Sequence, residues 1–127
     1  MSEIVQFEIY ADDIDRAKKF YENVFSWEMY KKRESDNFWL INTWKGEKHN
    51  IIGRLVKRLI PIDGNSVIAF LCTIDVSDID VSINLINKYG GSIVIPKRII
   101  PGLGFQAYCK DSEGNIFGII KLNSEVK

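Results

Sequence analysis

The sequence predicts an α+β fold built from two tandem βαβββ modules. The first observation is the length, because 127 residues suffice for one domain but not for two independent ones. The second is an internal repeat: a gapless shift of 65 residues pairs 4–56 with 69–121, and ten of these 53 pairs are identical. Chance would give about three or four identities at ordinary residue frequencies. The third is that both halves show the same order of strand and helix patterns.

A turn-rich segment separates the two modules. Residues 61–65 read Pro-Ile-Asp-Gly-Asn, and Asp, Gly and Asn all tolerate turn conformations. We therefore expect a single domain over residues 1–127, with module one at about 3–58, a turn at 59–65 and module two at about 66–122.

The first module begins with a strand, since residues 4–10 alternate between apolar and polar side chains. The helix that follows is predicted from apolar residues at 3.6-residue spacing, and Asp12 or Asp13 caps its N-terminus. Its apolar face comprises Ile14, Ala17, Phe20, Tyr21, Val24 and Phe25. The three remaining strands are predicted at 27–32, 38–43 and 51–56.

The second module repeats this order. Residues 67–74 are predicted to form its first strand, and 77–80 resemble a capping box at the start of its helix. Gly90 and Gly91 end that helix, because glycine accepts the left-handed conformation found at helix C-termini. The three remaining strands are predicted at 92–95, 105–109 and 116–121.

Short motifs in both modules carry a family resemblance. Residues 7–13 (Phe-Glu-Ile-Tyr-Ala-Asp-Asp) run into Ala17-x-x-Phe20-Tyr21, and Asp111-x-x-Gly114-Asn115 precedes the last strand. With the two βαβββ patterns, these motifs resemble the glyoxalase/bleomycin-resistance/dioxygenase group, the vicinal oxygen chelate superfamily. The resemblance covers essentially the whole chain. It implies sheets that form an open half-barrel cup with the helices outside.

The resemblance also implies places for a divalent metal. Enzymes of this superfamily typically hold it with a His or Gln on the first strand of a module and a Glu on its last strand. The repeat assigns these places to Gln6, Leu71, Gly53 and Gly118, of which only Gln6 has a side-chain donor. A zinc-like ion needs about three or four protein donors. We therefore expect no bound metal and no other cofactor.

A ligand-binding surface is predicted from strand alternation together with the repeat. Its lining is mostly apolar with a few polar groups, as is typical of small-molecule sites. The two glycines in it either enlarge the space or mark strand bulges. The predicted ligand-binding residues are Gln6, Glu8, Tyr10, Gly53, Leu71, Thr73 and Gly118. The apolar residues predicted beside them are Ile51, Leu55, Ile116 and Ile120.

Glu8 is the candidate catalytic residue, because burial against apolar walls would poise its carboxyl as a general acid or base. A structural hydrogen bond to Gln6 or Tyr10 is the alternative. His49, the single histidine, is expected on the surface. Cys72, predicted to face the helix, and Cys109 are expected to be buried, unreactive thiols.

Partners are predicted from charge, hydropathy and edge strands. Seventeen basic residues balance seventeen acidic ones, which argues against nucleic-acid binding. The sequence contains no apolar run long enough for a transmembrane helix, and its two cysteines suit a reducing compartment, so we expect a cytoplasmic protein without membrane contact. A half-open sheet leaves edges that a second copy would cover, so a homodimer is expected, with Trp27, Phe38 and Trp39 as contact residues.

Three classes of function follow from these expectations. The first is a glyoxalase-like protein that has lost the usual metal site and binds a small molecule in the cup. The second is a lyase or oxidoreductase of the same superfamily with an atypical metal site. The third is a partner-binding subunit with a vestigial cup. Whether the protein is an enzyme stays open, because function depends on the site and not on the fold.

Overall fold

Each half of the chain forms one βαβββ module, which confirms the predicted fold class. The computed structural model describes residues 6–44, 51–58 and 71–127. These fall into two compact units, Met1–Pro61 and Ile62–Lys127.

The first module has a mixed sheet packed on one helix. Its described sheet has four strands in the order β1-β4-β3-β2, with β1 and β4 parallel and the other pairs antiparallel. The elements agree with the sequence prediction to within a few residues wherever they are described. They are β1 Gln6–Ala11, α1 Ile14–Phe25, β2 Glu28–Tyr30, β3 Trp39–Asn42 and β4 Ile52–Lys57.

The second module repeats the topology, with the described strands in the order β5-β8-β7-β6. One strand is longer than predicted: β6 continues to Ile100 and contains Pro96, with register shifts on either side of Ile95. Proline is tolerated there because β6 is an edge strand, where its missing N–H breaks no ladder hydrogen bond. The elements are β5 Thr73–Asp75, α2 Ile79–Lys88, β6 Ser92–Ile100, β7 Gly104–Lys110 and β8 Ile116–Leu122.

Aspartates cap both helices. Of the two candidates for α1, the cap is Asp13, whose side chain accepts a hydrogen bond from Arg16 N at 3.0 Å. Asp78 accepts from the backbone N–H groups of Asp80 and Val81, each at 3.1 Å. These carboxylates satisfy free N–H groups of the first turn and place negative charge at the positive end of the helix dipole.

The core of the first module lies between α1 and its sheet. Ala11, Ala17, Ile41 and Leu55 are its buried centre. Partly buried residues pack around them: Phe7, Ile9, Ile14, Trp27, Met29 and Trp39.

Two of the three predicted dimer contacts belong to this internal packing. The ring of Trp27 stacks on Tyr21 at 5.0 Å between centroids and 1° between planes. The ring of Trp39 has the ammonium groups of Lys18 and Lys31 within 4.8 Å of its centroid. Both tryptophans therefore serve their own module, and homodimer formation stays a prediction.

The last strands of the two modules are offset by one residue from the 65-residue repeat. Both helices follow the 65-residue spacing, since they begin at Ile14 and Ile79. In the parallel pairs, however, Glu8 lies beside Arg54, whereas its counterpart Thr73 lies beside Gly118. The spacing between β4 and β8 is therefore 64 residues. Arg54 is the structural counterpart of Gly118, and the identity of Gly53 with Gly118 in the gapless repeat is not a structural equivalence.

The two cysteines lie in different environments. Cys109 is buried as predicted, and desolvation raises the pKa of its thiol to about 11. The prediction for Cys72 is wrong: it lies just before β5 and its side chain is exposed.

The thiols should therefore react at different rates. A higher pKa leaves less thiolate at a given pH, so at about pH 8 we expect a disulfide reagent such as Ellman's to label Cys72 rapidly. Cys109 should react only after denaturation. The Cys72→Ser variant is the control and should lose the rapid phase. Two equally fast thiols in the native protein would contradict this assignment.

Candidate functional site

The candidate site lies on the face of the first sheet that points away from α1, here called the open face. On β1 this face carries Gln6, Glu8 and Tyr10, while Phe7 and Ile9 pack into the core, so β1 has the predicted alternation. The parallel register places Ile52, Arg54 and Val56 of β4 beside these residues.

Gly53 and Leu55 do not belong to the open face, and their predicted placement is wrong. Gly53 pairs with Phe7, and a Cβ added to it would overlap the Phe7 ring and come within 2.9 Å of Ile41 Cβ. Leu55 is fully buried in the core beneath α1. The error arises because the gapless repeat equated Gly53 with Gly118 and so placed Gly53 and Leu55 on the open face, whereas Arg54 marks the opposite face of the strand as the exposed one.

The predicted residues of the second module do lie together. Thr73 pairs with Gly118, and a Cβ on Gly118 would meet Thr73 Oγ1 at 2.8 Å and Leu71 Cδ2 at 3.5 Å. Both glycines of the predicted site are thus covered by neighbouring side chains, Phe7 over Gly53 and Thr73 over Gly118. Close packing against these side chains accounts for both glycines, and neither glycine enlarges the predicted binding surface.

Arg54 is the residue that sequence reasoning missed. Its guanidinium lies 4.2 Å from the centroid of the Phe38 ring, a cation–π contact, and its Nη1 lies 3.6 Å from Glu8 Oε2. The side chains of Arg54 and Glu8 are 29% and 31% exposed. Arg54 is the single charge in the otherwise apolar run 51–56. That contrast is the signal that could have identified it.

Glu8 occupies a different environment from the one predicted. Its carboxylate is partly exposed and ion-paired with Arg54, so it does not stand alone among apolar walls. A partly exposed pair at this distance contributes about 1 kcal/mol or less to stability.

A depression of about 410 Å³ lies on the first module, beside the Arg54–Phe38 contact. Its apolar lining consists of Phe38, Leu40 and Ile52. Three cations line it, against a single carboxylate, Asp36, which pairs with Arg33 at 3.3 Å between Oδ1 and Nε. The full lining is Gln6, Lys32, Arg33, Asp36, Phe38, Leu40, Ile52 and Arg54.

The residues present do not fit the divalent metal that the resemblance implies. Of the four assigned places, only Gln6 has a donor side chain, and the structural counterpart of Gly118 in the first module is Arg54, whose charge repels a cation. Within residues 6–44, 51–58 and 71–127, no three His, Cys, Asp or Glu side chains come together as a metal site. His49 lies outside the described residues.

Comparisons with known proteins agree on one architecture. Residues 3–43 match the family model described as bleomycin resistance protein-like N-terminal. A glyoxalase/bleomycin resistance protein/dioxygenase family enzyme from Burkholderia phytofirmans PsJN is 18% identical, with a TM-score of 0.72 over 96% of this chain and 100% of that one. TnmS3, an antibiotic binding protein from Streptomyces sp. CB03234, is 17% identical, with a TM-score of 0.66 over 97% and 98%.

A third solved structure is the fosfomycin resistance protein FosX from Listeria monocytogenes, 14% identical, with a TM-score of 0.70 over 97% of this chain and 94% of that one. No curated protein sequence is significantly similar to this chain. In the described part of the chain, neither helix is long and apolar enough to cross a bilayer.

Proposed function

The chain has the fold of the vicinal oxygen chelate superfamily, as its motifs predicted, and from this premise we propose that it binds a small molecule without a metal ion. The observation that carries the proposal is the depression on the first module. Arg54 lines it, and its structural counterpart in the second module is Gly118, one of the places assigned to a metal-binding Glu. The volume of the depression, about 410 Å³, lies within the range of small-molecule sites. TnmS3, which shares the fold, is an antibiotic binding protein.

The chemistry of the lining supports a binding role more than catalysis. The one carboxylate next to Arg54 is Glu8, which is partly exposed and lies outside the lining of the depression, so it is not placed to act on a ligand bound there. Apolar side chains with a few charged groups are the usual composition of a site that holds an organic ligand in one orientation. The enzyme class with an atypical metal site lacks suitable donors among the described residues.

Filling the depression should weaken binding strongly. In the Ile52→Trp variant, the larger side chain would occupy part of the depression that Ile52 lines together with Phe38 and Leu40. The matched control is Ile99→Trp, because Ile99 is similarly exposed (51% against 48% for Ile52) but lies on β6 of the second module.

The measurement is a thermal-shift screen of drug-sized aromatic compounds in the presence of EDTA, followed by calorimetric titration of the hits. The naphthalene series 2-naphthoate, 2-naphthamide and 2-naphthylmethylammonium serves as the common probe set. We expect at least one compound to bind with EDTA present, and its affinity to fall about tenfold or more in Ile52→Trp but not in Ile99→Trp. Binding that requires Mn²⁺ or Zn²⁺, or that both tryptophan variants leave unchanged, would overturn the proposal.

A further inference from the structure

We propose that the depression selects a ligand with an apolar ring and a carboxylate, and that Arg54 and Lys32 bind the carboxylate. This inference rests on the proposed binding function and names the chemical class of its ligand. It follows from the charge around the depression, the geometry of Arg54 and the apolar surface beside it.

The charge around the depression is positive. Lys32, Arg33 and Arg54 line it, and the one lining carboxylate, Asp36, is engaged by Arg33 through both its side chain and its backbone N–H. Lys32 has no ion-pair partner among the described residues. The local excess therefore favours an anionic ligand, although the whole chain has no net charge.

The geometry of Arg54 leaves its donors available. The Phe38 ring lies against the guanidinium, with Cζ 4.2 Å from the ring centroid, and restrains its position. The distance of 3.6 Å to Glu8 is longer than a hydrogen bond, and no other described side chain accepts a hydrogen bond from the Arg54 guanidinium. A restrained guanidinium without an intramolecular hydrogen-bond acceptor among the described side chains can donate two N–H groups to the two oxygens of a carboxylate.

The apolar surface beside these cations accommodates the rest of the ligand. Phe38, Leu40 and Ile52 line the depression together with Arg54, so a flat ring can cover them while its carboxylate reaches the guanidinium. A neutral or cationic ligand of the same shape would cover the same surface, but its polar end would lack the charge attraction of Arg54 and Lys32, and a cation would be repelled by them.

The naphthalene series tests the inference directly. We expect 2-naphthoate to bind about tenfold or more tightly than 2-naphthamide, and 2-naphthylmethylammonium to bind least. Arg54→Gln should reduce the affinity for 2-naphthoate about tenfold and leave that for 2-naphthamide unchanged. Arg16→Gln, which removes the same charge from an exposed position on α1, is the matched control and should change neither affinity.

Glu8 provides a test in the opposite direction. The Glu8→Gln variant removes the carboxylate that competes for Arg54, so 2-naphthoate should bind a few-fold more tightly. If Arg54→Gln fails to fold, Lys32→Gln gives the same test from an exposed position.

The outcomes separate the two proposals. If 2-naphthamide or the ammonium compound binds as tightly as 2-naphthoate, and Ile52→Trp blocks both, the inference about the carboxylate is overturned while the binding function stands. If no screened compound binds in a manner that Ile52→Trp blocks, the proposed function fails as well. Equal losses of 2-naphthoate affinity in Arg54→Gln and Arg16→Gln would also contradict the inference.

Discussion

Replacement of Gly53 with Glu is expected to lower the free energy of unfolding by at least about 4 kcal/mol. A Cβ at this position would overlap the Phe7 ring and lie 2.9 Å from Ile41 Cβ, so even the first atom of the side chain displaces the core. The carboxylate would then enter the apolar layer beneath α1, where an unpaired charge costs several kcal/mol.

The matched control places the same residue one position further along β4. Arg54→Glu puts the new carboxylate on the partly exposed open face, near Glu8, and should cost less than about 1.5 kcal/mol. Urea unfolding followed by tryptophan fluorescence measures both variants. Equal stability losses would mean that Gly53 and Arg54 do not lie on opposite faces of the sheet.

Asp111→Ala is expected to destabilise the protein by about 3–5 kcal/mol. Asp111 is 3% exposed and organises the turn between β7 and β8. Its Oδ1 accepts hydrogen bonds from the backbone N–H groups of Glu113 (2.8 Å) and Asn115 (2.9 Å), and its Oδ2 accepts one from Asn115 Nδ2 (2.9 Å). Alanine would leave three donors without this acceptor in a largely buried turn.

Two further variants isolate the hydrogen bonds from the packing. Asp111→Asn keeps one oxygen for the backbone N–H groups but opposes two amide groups, so about half of the loss should remain. Combining Asp111→Asn with Asn115→Asp reverses donor and acceptor and should recover about 1 kcal/mol or more, as chemical denaturation would show. If the double variant is no more stable than Asp111→Asn alone, the side-chain hydrogen bond is not what holds the turn.

The helices and most strands could be predicted because their signals are local. Asp13 and Asp78 each supply a side-chain acceptor at a helix N-terminus, and an apolar stripe follows each of them. The end of β6 could not be predicted in the same way, because a proline such as Pro96 usually indicates the end of a strand. Whether a strand continues through a proline depends on its being at a sheet edge, which is a property of the tertiary structure.

The site was predicted only in part, because its centre depends on a non-local register. Gln6, Glu8 and Tyr10 follow from the alternation of a single strand. The ion pair of Glu8 with Arg54 requires the parallel pairing of the first and last strands of the module, and no local pattern determines its register. The gapless repeat supplied the wrong register, since its identity of Gly53 with Gly118 is off by one residue from the structural equivalence.

The offset between the modules also bears on how duplicated gene segments diverge. Trp39 and Ala107, which pair with the counterparts Leu55 and Ile119, are 68 residues apart in sequence, so more than one insertion or deletion separates the two modules. Here the cores keep equivalent residues, since Leu55 and Ile119 are counterparts and both are fully buried. The neighbouring position holds an arginine in one copy and a glycine in the other. Insertions and deletions between strands can thus change the sequence spacing of two copies while the hydrophobic interior of each is retained.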